Sequence, residues 1–353
     1  MKISSCILLC LPFLSFGQIP VDYYNTAVGL TGNNLKTALH HIIKDHTVIP
    51  NSVLWSAFSK TDAKVNGKVW DIYSFQPVIP QPYEFTFITN ECGSYSIEGD
   101  CYGQSLMWPA AWLNGATAPS NDLFNVYPTD GLVNSVRANF PFGNTILVDY
   151  MSFNGTRRGT SSHPSYSLTV FEPISEFKGD VARSYLYMTT RYYTEDAAWG
   201  TSPATNKADI LPWQMNVLMQ WHHFDPVSAK EIARNDSIYT FYQQNRNPFI
   251  DHPNWADSIW TYVASVPENL SDLSNAYSVY PNPSEDRFYI KCDLKFTDDL
   301  NYTVQTITGE VVEQKIEAAA DQITIETKNW PKGLYIISLK NKTGIAKLKL
   351  IKN

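Results

Sequence analysis

Cys92 and Cys101 bracket a polar, glycine-containing loop, Gly93-Ser94-Tyr95-Ser96-Ile97-Glu98-Gly99-Asp100, and their spacing suits one of two chemistries. In an oxidising compartment such a pair closes the loop as a disulfide. A shared metal ion is the rival use, although no further Cys or His lies close in sequence to complete a zinc set. The other reactive groups are scattered. His40, His41 and His46 have no evident carboxylate or cysteine neighbour and read as surface or helix-end residues. Arg157-Arg158 is the one adjacent basic pair between Gln18 and Ala276, either a solvated loop or a clamp for phosphate.

Charge limits what these groups can attract. The 353 residues carry 27 Lys and Arg against 34 Asp and Glu, a net charge of -7. From Tyr277 onward there are 11 basic and 10 acidic residues, and Lys2 precedes Gln18, so the stretch between holds 15 basic against 24 acidic, or -9. Bulk attraction for polyanions is excluded there, and nucleic acid would need a local Arg/Lys cluster or a bound cation. Charged residues are 17% and aromatics 14%, which excludes global disorder. Apart from the extreme N-terminus no apolar run approaches the roughly 18 to 20 residues of a membrane-spanning segment.

The elements that must hold these residues are mainly helical. Leu35, Ala38, Leu39, Ile42 and Ile43 recur at three- and four-residue spacing and predict a helix over Asn33 to His46. Phe177 to Tyr192, Ile210 to His222 and Val227 to Gln244 predict three more, with Asp225 placed to cap the last. Val69 to Ser74 alternates as a strand should, and strand signals from there to Phe171 are otherwise few.

The two ends differ from this middle. Lys2, the apolar stretch Ile3 to Phe16 and the small-residue end Ser15-Phe16-Gly17 predict a signal peptide over residues 1–17, removed before Gln18. Its removal leaves Cys92, Cys101 and Cys292, the last read as a buried apolar residue. Residues 264–276 read as a polar linker after a domain of residues 18–263. From residue 277 to 353, short β-branched and aromatic runs alternate with turn signals and predict a small antiparallel β-sandwich.

Tyr280-Pro281-Asn282-Pro283, Gly309, Gly333-Leu334-Tyr335 and a final Lys347-Leu348-Lys349-Leu350 together resemble the C-terminal sorting domain of the type IX secretion system. The resemblance implies a secreted or cell-surface protein with the secretion machinery as partner, the sorting domain usually being removed.

The middle part resembles the bacterial endonuclease I family from Tyr23 to Trp260. It does so through Asp71-Ile72-Tyr73-Ser74, through Tyr127-Pro128-Thr129-Asp130-Gly131 leading to Phe140-Pro141-Phe142-Gly143, through Phe177-Lys178-Gly179-Asp180-Val181-Ala182-Arg183, and through Asn245-Arg246-Asn247-Pro248-Phe249-Ile250-Asp251-His252-Pro253. This implies an α+β fold of the ββα-metal class, helix-rich, acting on DNA or RNA. In that class a His at a strand end activates water, while a Glu and an Asn hold a divalent cation, commonly Mg2+. Phosphodiester hydrolysis needs both parts, an activated water and a cation to stabilise charge on the phosphate.

The family's signature, Cys-Tyr-Asn-Arg-Glu-His-Ser-Trp-Pro or close to it, is here Cys101-Tyr102-Gly103-Gln104-Ser105-Leu106-Met107-Trp108-Pro109. Leu106 stands at the base position and has no lone pair to accept a proton. Ser105 stands at the Glu ligand position without its charge, and Gln104 replaces the Arg. Asp122-Leu123-Phe124-Asn125 lacks two imidazoles of a second family segment. What remains is the segment after Asp130. Asn134 or Asn139 matches the family's metal-binding Asn, the two being indistinguishable in sequence, and Arg137 is a candidate catalytic group. Asn at helix ends also serves as a cap, which is the structural alternative. Among other groups, His163, His222, Asp122 and Asp130 could substitute only if base and ligand had moved together. The expectation is a secreted nuclease-like protein with hydrolysis lost or weak, the alternative being a nucleic-acid-binding or interaction protein on the same scaffold.

Overall fold

The computed structural model describes residues 19–76, 80–260, 271–272, 274–292, 300–306, 311–317, 322–340 and 344–353. The expected signal peptide and part of the expected linker lie outside these residues. The chain divides into two compact units, Met1–Ala264 and Ser265–Asn353.

In chain order the first unit contains α1 (Gly32–Ile43), α2 (Asn51–Thr61), β1 (Tyr102–Leu106), α3 (Ala110–Leu113), α4 (Thr117–Ser120), β2 (Val126–Asp130), α5 (Gly131–Arg137), β3 (Thr145–Met151), β4 (Arg157–Ser161) and β5 (Thr169–Glu172). It continues with α6 (Lys178–Arg191), the two-residue strands β6 (Thr205–Asn206) and β7 (Asp209–Ile210), α7 (Pro212–Phe224), α8 (Ala229–Ile238), α9 (Pro248–Asp251) and α10 (Trp255–Ile259). Helix α1 buries Leu35, Leu39 and Ile43, the stripe its spacing predicts. Helix α6 is buried on almost every side and packs on α1 and α7. Its Arg183 is satisfied in the interior by Glu231 of α8 and by the Asp225 carbonyl.

Four local expectations are corrected. Val69 to Ser74 is not a strand: Asp71 accepts from Tyr73 N at 2.7 Å and Ser74 Oγ at 2.6 Å, which folds the segment into a buried turn. Asp225 does not cap α8. Ser228 does, in a reciprocal pair with Glu231, while Asp225 accepts from Gly179 N at the start of α6. The expected helix to Gln244 ends at Ile238 and passes into a wider turn over Tyr239–Gln243. His40 and His46 are buried, not on the surface. His40 bonds the Thr190 carbonyl, and His46 accepts from Arg191 Nε at 2.9 Å.

The antiparallel sheet β3–β4–β5 and helix α2 have no counterpart among the elements expected from sequence. In β3, Ile146, Leu147, Val148 and Met151 are all exposed, so the strand shows no apolar–polar alternation to betray it.

The second unit contains β8 (Ser271–Asp272), β9 (Tyr277–Tyr280), β10 (Arg287–Cys292), β11 (Leu300–Thr306), β12 (Val311–Glu317), β13 (Gln322–Glu326), β14 (Gly333–Lys340) and β15 (Gly344–Lys352). Sheets β13–β10–β9 and β12–β11–β14–β15–β8 are antiparallel except for the β15–β8 pair. Alternate residues Phe288, Ile290, Ile323, Ile325, Tyr302, Val304, Ile337 and Leu339 meet in one core between them, the expected sandwich. No helix among the described residues is long and apolar enough to cross a membrane.

Candidate functional site

Strand β1 carries the Gln104-Ser105-Leu106 core and pairs antiparallel with β2, Ser105 opposite Tyr127 and Leu106 opposite Val126. Helix α5 starts directly after β2, because Asp130 at the strand end accepts from Val133 N at 2.9 Å and caps it. Two antiparallel strands followed by a helix is the arrangement the ββα resemblance implies.

The strand is pinned at both ends. At its start Cys92 and Cys101 form a disulfide, Cα to Cα 5.0 Å, and Cys92 N donates to the Tyr102 carbonyl at 3.0 Å. At its end the Arg137 guanidinium donates to the carbonyls of Leu106 and Met107, and Trp108 N donates to Asn125 Oδ1 at 2.7 Å. Arg137 is 2% exposed and lies over the Phe142 ring at 4.4 Å. Its two terminal nitrogens clamp the strand end through the backbone, while its Nε is buried without a hydrogen-bond partner.

The structure separates the two asparagines. Ser105 Oγ donates to Asn134 Oδ1 at 2.7 Å, joining the middle of β1 to α5. Asn139 lies beyond the helix end, after Ala138 at a φ of 49°, exposed, and lines a different cavity. Ser105 is fully buried and Leu106 half-buried. Gln104 accepts from Asn51 Nδ2 at 3.2 Å, while its own amide nitrogen is buried without a partner. The Tyr73 hydroxyl, not singled out in the sequence, is fully buried without a hydrogen-bond partner. Burial pushes its phenol up against the pull of Arg137.

These residues do not fit a hard divalent cation. The Asn134 oxygen that would face such an ion already accepts from Ser105, and neither Ser105 nor Leu106 brings a charge. The acidic groups of the neighbouring segments are committed elsewhere. Asp71 accepts from Tyr73 N, Ser74 Oγ and Asp130 N, and burial raises it to about 7. Asp130 is also raised by burial and accepts from Gly99 N and Val133 N. Asp122 is buried under the hydroxyls of Tyr187 and Tyr192, both at 2.8 Å. Among the described residues no group of three or more His, Cys, Asp or Glu could hold a metal.

The other histidines of these segments make the following contacts. His163 Nδ1 accepts from Ser165 N at 3.2 Å, and His222 Nε2 lies 3.0 Å from the Pro253 carbonyl. His252 stacks on Trp255 with centroids 4.1 Å apart. Arg157 is exposed on β4. Arg158 pairs with Asp149 at 2.8 Å and reaches the Val136 carbonyl at 3.4 Å, beside the end of α5.

Comparison with known proteins bears on both units. Residues 31–254 match the Endonuclease I family, and residues 278–353 match the secretion system C-terminal sorting domain. The chain is 34% identical over 246 residues to an extracellular ribonuclease of Bacillus subtilis (strain 168), an alignment that covers 67% of this chain and 78% of that protein. It is 35% identical over 258 residues, with the same coverage, to an extracellular ribonuclease of Bacillus amyloliquefaciens.

Proposed function

From the premise that this chain belongs to the endonuclease I family, we propose that it is directed at nucleic acid while its phosphodiester hydrolysis is lost or weak. It is a secreted or cell-surface protein of nuclease-like build, by its sorting domain and its extracellular relatives. In this reading residues 1–17 are a signal peptide, 18–263 the nuclease-like domain, 264–276 a linker and 277–353 the domain that type IX machinery reads.

One observation carries the loss of turnover: the Ser105 hydroxyl donates to Asn134 in the core of the motif, with Leu106 next to it. Hydrolysis by this class needs a base on water and charge stabilisation at the phosphate. Leu106 cannot accept a proton, and a hydroxyl already bonded to the amide oxygen is a poor substitute for a carboxylate ligand. Binding of DNA or RNA would rest on Arg157 and Arg158, because the acidic balance of this part offers no general attraction.

A second reading, an active metal-dependent nuclease, is favoured by one thing: the relatives at 34% and 35% identity are named ribonucleases. Digestion of plasmid DNA and of RNA by the purified chain, with magnesium or with chelator, separates the two. Lost or weak activity means cleavage absent, or at least a hundredfold below an active family member. Chelator-sensitive cleavage at ordinary family rates would overturn the proposal.

A further inference from the structure

We infer that the cavity at the C-terminal end of α5 is a pocket for an unpaired nucleobase. The inference rests on the nucleic-acid reading above and adds the part of the substrate that is recognised. The cavity has a volume of about 720 Å3 and opens to solvent beside Asn139. Its size suits a small planar ligand.

The walls have the chemistry of a base site. Trp112, Phe140 and Tyr166 supply aromatic surface. Tyr166 is held by Trp213 of α7, the two rings parallel within 2° and their centroids 4.1 Å apart. Trp213 itself does not line the cavity, whereas Tyr166 does. No charged side chain lines the cavity. A phosphate or carboxylate is therefore the wrong occupant, whereas a neutral heteroaromatic ring stacks there without losing a counter-ion. Asn139 adds an amide with both donor and acceptor at the rim, the complement of the mixed edge that every base presents. Leu168, also in the lining, is 65% exposed and would be covered by an occupant.

Two neighbours point to a nucleotide instead of any aromatic molecule. The Arg158 guanidinium lies 5.9 Å from the Phe140 ring, on the same strand as Thr160 of the lining, so a cation stands beside the aromatic wall where an attached phosphate would emerge. Its partner Asp149 is half-exposed, and such a surface pair yields readily to a phosphate. Asn139 is two residues from Arg137, which grips the carbonyls of Leu106 and Met107. A strand passing the motif could therefore leave one base in the cavity. Only an unstacked base can enter, which selects single-stranded RNA or DNA over duplex.

The test uses the whole chain and labelled single-stranded dodecamers, one bearing bases and one abasic, with 5′-AMP and UMP as monomer probes. The base-bearing strand is expected to bind about tenfold or more tighter than the abasic one, and Tyr166→Ala or the exposed Asn139→Leu should each abolish most of that difference. Tyr166→Ala touches the packing on Trp213, so Asn139→Leu keeps the test valid if the first variant folds poorly. Equal binding of both dodecamers, weakened by Arg158→Glu and unmoved by either pocket variant, overturns the pocket and leaves nucleic-acid binding standing. Binding of the monomers that Asn139→Leu weakens, with no dodecamer bound, overturns nucleic-acid binding and keeps the pocket. Absence of binding by every probe overturns both.

Discussion

Ser105 on β1 and Asn134 on α5 are joined by a hydroxyl-to-amide hydrogen bond of 2.7 Å. The bond links a strand and a helix 29 residues apart in sequence, and Ser105 stands where the resemblance calls for the carboxylate of a cation site. With a serine there the two side chains satisfy each other. The site is thus closed by a short polar contact and needs no ion to hold it together.

On the proposed loss of hydrolysis, installing the family's residues should bring some activity. Ser105→Glu with Leu106→His, alone or with Gln104→Arg, supplies a carboxylate beside Asn134 and a base at the strand end. Positioned acid–base groups contribute about 10² to 10⁴ in rate. Magnesium-dependent nicking of plasmid should appear in the repaired chain and vanish with chelator. A well-folded repaired chain that stays inert would mean that more than these side chains has been lost.

Arg137 should matter for stability, not for turnover or binding. Arg137→Ala removes the guanidinium donors of the Leu106 and Met107 carbonyls, of which Met107 keeps a second donor in the Tyr185 hydroxyl at 3.0 Å, at a cost of about 1–3 kcal/mol. Arg137→Lys should recover only part of this, since an ammonium cannot fork across two carbonyls. Tryptophan fluorescence during urea unfolding reports on the first unit, which holds every tryptophan but Trp330. Wild-type stability in the alanine variant would sink the clamp assignment.

The Cys92–Cys101 bridge closes a loop with a sequence separation of 9 at the entry to β1. Replacing both residues by Ala should lower stability by about 2–3 kcal/mol, and reductant should shift the melting of the natural chain but not of the variant. Equal melting temperatures with and without reductant would argue against it.

His222 should make the first unit sensitive to acid. Burial, with Arg183 nearby, lowers its imidazole to about 4 from the ordinary 6.5. Above 6.5 the ring is neutral whether the chain is folded or unfolded. Between 6.5 and 4 only the unfolded chain takes up the proton, so this group removes stability as the pH falls, by up to about 3 kcal/mol. His222→Gln can still donate to the Pro253 carbonyl and does not titrate. Unfolding free energies of the two proteins should therefore diverge from pH 7 down to pH 4, with the natural chain losing more.

The sequence by itself determined the properties that live in single side chains or in short periods. That Leu106 cannot take a proton, and that Ser105 brings no charge, needs no coordinates. The stripe of α1, the helices around α6 and α7 and the alternating strands of the second unit are likewise local patterns, because one helix face or one sheet face repeats every few residues.

Tertiary structure decided what depends on partners far along the chain. Asn134 and Asn139 look alike in sequence, but only the first lies on α5 facing β1, since the chain turns at Ala138 before the second. Arg137 reads as a candidate catalytic group in sequence, and only the fold brings the carbonyls of Leu106 and Met107, 31 and 30 residues earlier, against it. Asp225 sits near two helix starts, and Ser228 with Glu231 claims the nearer one, leaving Asp225 to Gly179, 46 residues away. The stack of Tyr166 on Trp213, which shapes the proposed base pocket, joins a hairpin loop to a distant helix. Such contacts form only when loop closure brings the segments together, so neither propensity nor spacing carries them in advance.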